Sequence, residues 1–259
     1  MDHRPHYRTW IRSTRLAVFA ALGLACLAGS ALAPLSLWFL LFLVPFAVFG
    51  YIATILALTI HRFAPRGGDL QRRIHDLIVT RAGPATSGTA LDVGCGSGSL
   101  VVKLARATPD STVTGVDSWG RDWAYSKKLC EDNARLEGVS ARTTFLKQSG
   151  AALEFADGSF DTVVSCLTFH EIGDLERKSD GMVEALRVLR PGGRYVFLDL
   201  FGEPAFYPSA DHVRETIRGA GASIVEFDNL AGSLPLPFPL RHPKVLGHAM
   251  LIVGTKTRP

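Results

Sequence analysis

Three glycines at alternate positions, Gly94, Gly96 and Gly98, stand in the decapeptide LDVGCGSGSL between Leu91 and Leu100. They close an apolar, strand-like run and open a helix-like one. Glycine at such a junction lets the main chain turn sharply and lets a ligand approach where a Cβ would obstruct it. A second feature lies nineteen residues beyond Gly98, where Asp117 ends the next apolar run in TGVD. A carboxylate at that sheet edge is placed to accept hydrogen bonds from both hydroxyls of a ribose.

The spacing narrows the ligand. A dinucleotide oxidoreductase carries G-x-G-x-x-G, which would put its third glycine at position 99. Ser99 stands there, and the third glycine comes one residue early. Asp92, just before the loop, is poorly matched to a pyrophosphate but well matched to an ammonium group. The loop therefore suits a ligand that carries a ribose and a cation, and S-adenosylmethionine meets that description.

These residues need strand ends and helix starts to hold them, and the surrounding pattern supplies both. After the linker RFAPRGG, Asp69 can cap a helix whose apolar residues Leu70, Ile74, Leu77 and Ile78 recur at helical spacing. GPATSG then marks a loop. Short apolar strands alternate with helices from there: TALDVG, a helix Ser99 to Ala107, TVTGVD, a helix Asp122 to Leu136, TTFLKQ, FDTVVSC, the helix GMVEALRVLR, and GGRYVFLDL. Such alternation predicts an α/β fold with a parallel sheet covered on both faces. LRPGG reads as the turn from helix into strand. After a helix near Ala210 to Gly219, ASIVEF and HAMLIVGT lack a crossover helix between them and are expected to pair antiparallel.

The ordered motifs LDVGCGSG, GVD, LEFADGSFDTVV and ALRVLRPGGRYVFLDL resemble those of the class I S-adenosylmethionine-dependent methyltransferase family, over roughly Asp69 to Thr257. The resemblance implies a Rossmann-like, doubly wound seven-stranded sheet with an antiparallel last strand. It implies Gly94 and Gly96 against the methionine part of the cofactor, Asp92 near its amino group and Asp117 on the ribose. Cys95, Gly98 and Ser118 complete the stretch expected to line it. The chain departs from the family after the third strand, where an acid that reaches the adenine amino group is replaced by Ser149. The serine hydroxyl and the main chain of Gly150 and Ala151 are left to serve the ring. Trp119 either covers the ribose or adenine or packs as an ordinary tryptophan.

The segment SCLTFHEIGD ends the fourth strand on the ligand's side of the sheet. Ser165 and Cys166 are expected near the methionine moiety, with His170 and Glu171 where a methyl acceptor would enter. Methyl transfer from a sulfonium needs alignment above all; a base is required when the acceptor is a hydroxyl, a protonated amine or an acidic carbon. Histidine is the side chain best poised for that near neutral pH. The alternative is that His170 and Glu171 merely cap the loop. Phe201, Phe206, Tyr207, Leu236, Phe238 and Leu240, in FGEPAFYPSADH and LPLPFPLRHPKVLG, are candidates for an apolar acceptor lid, or for packing.

The 47% of hydrophobic residues are unevenly spread: Leu16 to Ile60 are 45 consecutive residues without a charged side chain or histidine. As one helix that run would reach about 68 Å at roughly 1.5 Å per residue, against a hydrocarbon core of roughly 30 Å. It must break, and Pro34 supplies the break. The halves near Leu16 to Ala33 and Leu37 to Ile60 each suit one crossing, so residues 16–60 are expected to form a transmembrane hairpin in the lipid bilayer. A cleaved signal peptide ending at Ala31 to Ala33 is the competing reading; Pro34 directly after the cut and the second apolar run speak against it. Arg4, Arg8, Arg12 and Arg15 before the hairpin and Arg62 and Arg66 after it favour a cytoplasmic face for both ends.

Two parts are thus expected: residues 1–66, a basic segment with the hairpin, and residues 67–259, the methyltransferase-like domain. The first part carries +5 and the whole chain +4, which leaves the second at −1 and without the basic excess of a nucleic-acid binder. The four cysteines, Cys26, Cys95, Cys130 and Cys166, show no paired metal spacing and read as reduced thiols. The function expected is a membrane-anchored methyltransferase with S-adenosylmethionine as cofactor and a small-molecule or lipid acceptor. An NAD-dependent oxidoreductase and a catalytically idle membrane-bound binding protein are the alternatives.

Overall fold

The computed structural model describes residues 4–32, 37–83, 88–120 and 125–257. Pro34, most of GPATSG and the expected helix start at Asp122 lie outside them. The chain divides into two compact units, Thr9–Arg72 and Met1–Arg8 with Arg73–Pro259. Residues 4–8 therefore count with the α/β unit.

The smaller unit is built on α1 (Ser13–Leu32) and α2 (Leu37–Phe63). Gly23 lies against Gly50 and Phe49, and Gly29 against the ring of Phe42, so the two helices pack antiparallel with glycine at their closest approach. Trp10 and Phe63 close the open end edge to face, 5.2 Å apart. The hydroxyls of Thr54 and Thr59 donate to the carbonyls of Gly50 and Ile55 one turn back, which satisfies them without water. Helix α2 runs through Pro45 unbroken. Both helices are long and apolar enough to cross a membrane, with mean hydropathy 1.8 and 2.4, and Leu24, Leu41, Val44 and Tyr51 point outward.

The larger unit carries α3 (Leu70–Ala82) from Arg73 onward and then β1 (Thr89–Val93), α4 (Ser99–Ala107), β2 (Thr112–Asp117), α5 (Lys127–Leu136), β3 (Thr143–Lys147), β4 (Phe160–Cys166), α6 (Ser179–Arg187), β5 (Leu189–Asp199), α7 (Ala210–Gly219), β6 (Ala222–Asn229), α8 (Leu230–Ser233) and β7 (Met250–Lys256). Seven strands form one sheet in the order β3-β2-β1-β4-β5-β7-β6. β1 to β5 are parallel, and β7 runs antiparallel between β5 and β6. The fold is the Rossmann-like doubly wound sheet expected, with the antiparallel last strand. Central strands covered on both faces must be apolar throughout, and Leu91, Val93, Val163, Val164, Val196 and Phe197 are fully buried.

Local chemistry moved several boundaries. Helix α5 starts at Lys127 because Ser126 is extended and its Oγ accepts the Leu129 N–H at 3.2 Å. LRPGG is not a turn ahead of the strand but the first stretch of β5, which meets β4 through a shift in register between Phe160 and Thr162. Asp69 adopts φ 55° and its carboxylate takes the Arg72 guanidinium.

Candidate active site

The sheet order reverses between β1 and β4. In open α/β sheets such a reversal leaves a crevice outside the carboxyl ends of the strands. Asp92 near the end of β1, Asp117 at the end of β2, Cys166 at the end of β4 and Asp199 at the end of β5 all arrive there.

Asp92 is 1% exposed, and neither of its carboxylate oxygens has a hydrogen-bond partner among the described residues. Burial, and then the charge of Asp117, push its pKa up to about 8. A buried carboxylate without a partner is costly, and a cation that reached it would relieve that cost. The ammonium group of S-adenosylmethionine is such a cation.

Gly94, Gly96 and Gly98 all take positive φ, at 81°, 55° and 78°. A Cβ on Gly94 would also collide with the side chain of Thr168, so this position is closed to any other residue. The amides of Gly94 and Cys95 both donate to the Val116 carbonyl, at 2.8 and 3.0 Å, which ties the loop to β2. Asp117 holds it from the other side, accepting from the Gly96 N–H at 2.9 Å and from the Trp119 N–H at 2.7 Å. Burial raises the Asp117 pKa, against the main-chain amides of Trp119, Gly96 and Ser118, which lower it. A carboxylate offers about four lone-pair sites, so acceptor capacity is left for a ribose diol.

Trp119 has φ 42°, uncommon for a bulky residue, and its indole N–H donates to the Gly96 carbonyl at 3.0 Å. The same carbonyl receives the Cys130 thiol at 3.2 Å. The indole is thereby fixed across the glycine loop. Cys95 is buried, and burial followed by the neighbouring Cys130 raises its thiol well above the usual range. Ser118 is exposed beside Asp117.

Of the β4 residues, Ser165 is fully buried and donates to the Val93 carbonyl at 3.0 Å, so its hydroxyl is committed inside the sheet. Cys166 is buried; desolvation, and then the charges of Asp92 and Asp199, push its thiol pKa up. After β3, Gly150 lies flat on Val93 and Ile172, where a Cβ would come within 2.9 Å of Ile172 Cδ1. Ser149 accepts the Ala151 N–H at 3.2 Å and donates to Asp174 at 2.8 Å. An acid thus stands beside the position from which the sequence pattern had lost one, brought by a loop 25 residues further on.

His170 and Glu171 lie in a single 3-10 turn, Phe169–Glu171. Phe169 anchors it, fully buried and edge to face with Phe197 at 5.1 Å. The turn presents His170 Nδ1 to Asp199 Oδ1 at 2.5 Å, and Asp199 Oδ2 accepts the His170 N–H at 3.3 Å. Asp199 is completely buried. Burial works against the imidazolium, but the charge and hydrogen bond of Asp199 outweigh it and raise the His170 pKa. Nε2 is left toward Glu171 Oε1 at 3.7 Å. This histidine and carboxylate arrangement sets the tautomer and leaves Nε2 to take a proton. Asp199 was absent from the candidates drawn from sequence.

Burial divides the residues offered as a lid or as packing. Phe201, Tyr207, Leu236 and Leu240 are core residues, at most 3% exposed. Phe206, 5.2 Å from the His170 ring, and the 62% exposed Phe238 remain accessible. Among the described residues no group of three or more His, Cys, Asp or Glu could hold a metal ion.

The known proteins that this chain resembles are methyltransferases. Residues 91–197 match the methyltransferase domain family. The ubiquinone/menaquinone biosynthesis C-methyltransferase of Geotalea daltonii is 32% identical over 126 residues, 47% of this chain and 49% of that protein. The 27-O-demethylrifamycin SV methyltransferase of Amycolatopsis mediterranei is 31% identical over 171 residues, 64% of this chain and 57% of that protein. The chain spans about half the length of the curated relatives it matches. Among solved structures, geranyl diphosphate C-methyltransferase from Streptomyces coelicolor superposes with TM-score 0.59 at 16% identity, over 74% of this chain and 81% of that one, which shares the fold. That structure holds S-adenosyl-L-homocysteine, and in the present chain the glycine loop stands beside the orphaned Asp92 carboxylate.

Proposed function

We propose that this chain is a membrane-anchored methyltransferase that moves the methyl group of S-adenosylmethionine to an apolar acceptor bearing an acidic hydroxyl or ring carbon, of the reduced-quinone kind. The pair of the partly buried His170 and the fully buried Asp199, at the carboxyl ends of the strands, carries this reading. A base of that kind is needed only when the acceptor must lose a proton. The hairpin α1 and α2 favours an acceptor dissolved in the bilayer, and the similarity to a quinone-pathway C-methyltransferase supports the same class.

In this reading Asp92 pairs with the ammonium group of the cofactor, Asp117 with the ribose hydroxyls, and the main chain of Gly94 to Gly98 lies along the methionine part. Ser149, Gly150 and Ala151 face the adenine, with Asp174 held beside them by the Ser149 hydroxyl. When bound, S-adenosylmethionine supplies an electrophilic methyl group on sulfur. His170 Nε2 takes the acceptor's proton, and Asp199 stabilises the imidazolium so formed. Phe206, against the His170 ring, flanks the acceptor. The arginines on both sides of the hairpin favour a cytoplasmic location for the domain. A pyrophosphate-bearing cofactor would set its charge against Asp92.

The reading is tested by offering the purified full-length chain a long-chain hydroquinone and a water-soluble phenol with labelled S-adenosylmethionine, in lipid nanodiscs. Label in the hydroquinone with little in the phenol is expected. Label in the phenol alone would overturn the apolar acceptor.

A further inference from the structure

The two stretches of chain that lead into and out of residues 9–72 both belong to the α/β unit, and both end in hydrogen bonds on the glycine loop or the residue that follows it. Before the hairpin, residues 4–8 run along α5. The His6 N–H donates to Asn133 Oδ1 at 2.7 Å, and Asn133 Nδ2 donates back to the His6 carbonyl at 3.2 Å. The same Nδ2 donates to the carbonyl of Ser97 at 3.0 Å, inside the loop. Asn133 is 1% exposed, so these bonds are made away from water. Tyr7 adds a bond from its hydroxyl to Glu137 at 3.3 Å.

After the hairpin, α3 brings His75, 5% exposed, with Nδ1 at 2.8 Å from the Ser99 hydroxyl. Burial foremost lowers its pKa to about 3, so this ring is neutral throughout the physiological range. Ser97 lies in the turn from β1 into α4, and Ser99 is the first residue of that helix. The turn and the helix start after it are therefore linked, through Asn133, to the chain entering the hairpin and, through His75, to the chain leaving it.

We propose that the N-terminal arm, residues 4–8, is a working part of the methyl-donor site, with Asn133 as the positioning residue that transmits its docking to the loop. Seating of the arm and binding of S-adenosylmethionine then favour each other, because each requires the Ser97 carbonyl to face Asn133. Coupling of this kind is reciprocal. It rests on the reading of the loop as the donor site, and it gives the membrane hairpin a second consequence: the segment that tethers the domain also helps shape its cofactor pocket.

The test uses the full chain in nanodiscs. His6→Pro removes the main-chain donor to Asn133 and leaves the Asn133 to Ser97 bond possible, while His6→Ala keeps that donor. Loss of one buried hydrogen bond corresponds to about fivefold in affinity. S-adenosylmethionine Kd and KM are expected to rise about fivefold for His6→Pro, by at least threefold more than for His6→Ala, and about tenfold on deletion of residues 2–8. At saturating cofactor, kcat is expected to hold, since the arm is not placed at His170. In the wild-type chain, saturating S-adenosylmethionine is expected to slow amide exchange at His6 several-fold. Equal Kd for the intact and deleted chains, a fall in kcat at unchanged KM, or unaltered His6 exchange on binding would each overturn the coupling. Should His6→Pro fail to fold, the exchange measurement decides. A wild-type chain that does not bind the cofactor would overturn the loop assignment itself.

Discussion

Replacing Asp92 by asparagine removes a charge while nearly keeping shape, and the structure sets the size of the effect. With a pKa of about 8 against an ordinary 3.8, the native ligand-free domain holds a proton on Asp92 that the unfolded chain has released. Stability from this group is therefore fully present below about pH 4 and is lost as pH rises toward 8. About 2 kcal/mol of it disappears between about pH 6 and 8, at roughly 1.4 kcal/mol per unit. Pairing with an ammonium group needs the ionised form, so binding must expel that proton. Cofactor affinity is accordingly expected to rise about tenfold per pH unit between about pH 5.5 and 7, below the range in which a free α-amino group titrates. Asp92→Asn has no proton to release: its affinity is expected to be flat over that window, and weaker near neutrality by about 1.5–3 kcal/mol, the worth of a hydrogen bond to a charged group. Isothermal titration calorimetry in buffers of different ionisation enthalpy reads both the affinity and the proton count. An Asp92→Asn chain that binds with wild-type affinity and the wild-type pH slope would refute the pairing.

Asp117→Ala is expected to weaken S-adenosylmethionine binding by about 1.5–3 kcal/mol, measured by the same calorimetry; unchanged affinity would remove Asp117 from the ribose. His170→Gln is expected to lower kcat by about 10²–10⁴-fold with little change in cofactor Kd, as for the loss of a general base; an equal loss in Kd would mark a structural role. The raised His170 pKa puts the acid limb of the rate profile above 6.5, because the base works only when neutral, whereas its ion pair with Asp199 stabilises the fold at lower pH and is lost as pH rises through that raised value. Asp199→Asn is expected to move that limb to lower pH while reducing the plateau, and a profile that stays put would dissociate the two residues. Phe169→Ala, which empties a fully buried site in the turn that carries His170, is expected to cost about 3–5 kcal/mol of domain stability by denaturant titration.

What the sequence displayed clearly was whatever one short segment determines alone. Gly94, Gly96 and Gly98 stand where the backbone takes positive φ, so the loop's shape and its place between strand and helix could be read directly. The alternation of strands and helices, and the missing crossover before β7, carried the sheet topology as far as its antiparallel end. Residues that act through tertiary contact left no local mark. Asp199 reaches His170 across 29 positions and Asp174 reaches Ser149 across 25, each reading in sequence as an ordinary acid at a strand end or in a loop. Asn133 lies on α5 among charged residues, and nothing in its neighbourhood announces a partner 127 positions away. Phe201, Tyr207, Leu236 and Leu240 left two readings open in the sequence, a lid or packing. Apolar residues in loops rich in proline and glycine look available to a substrate, but burial is a property of the finished packing, and these four are spent in the core.

The most direct measurement is the transfer of labelled methyl groups from S-adenosylmethionine by the full-length chain to a total membrane lipid extract, with the His170→Gln chain in parallel. The account predicts label in an apolar, solvent-extractable product, reduced at least a hundredfold by the substitution. Confirmed cofactor binding with no labelled product, or equal labelling by both chains, would contradict it.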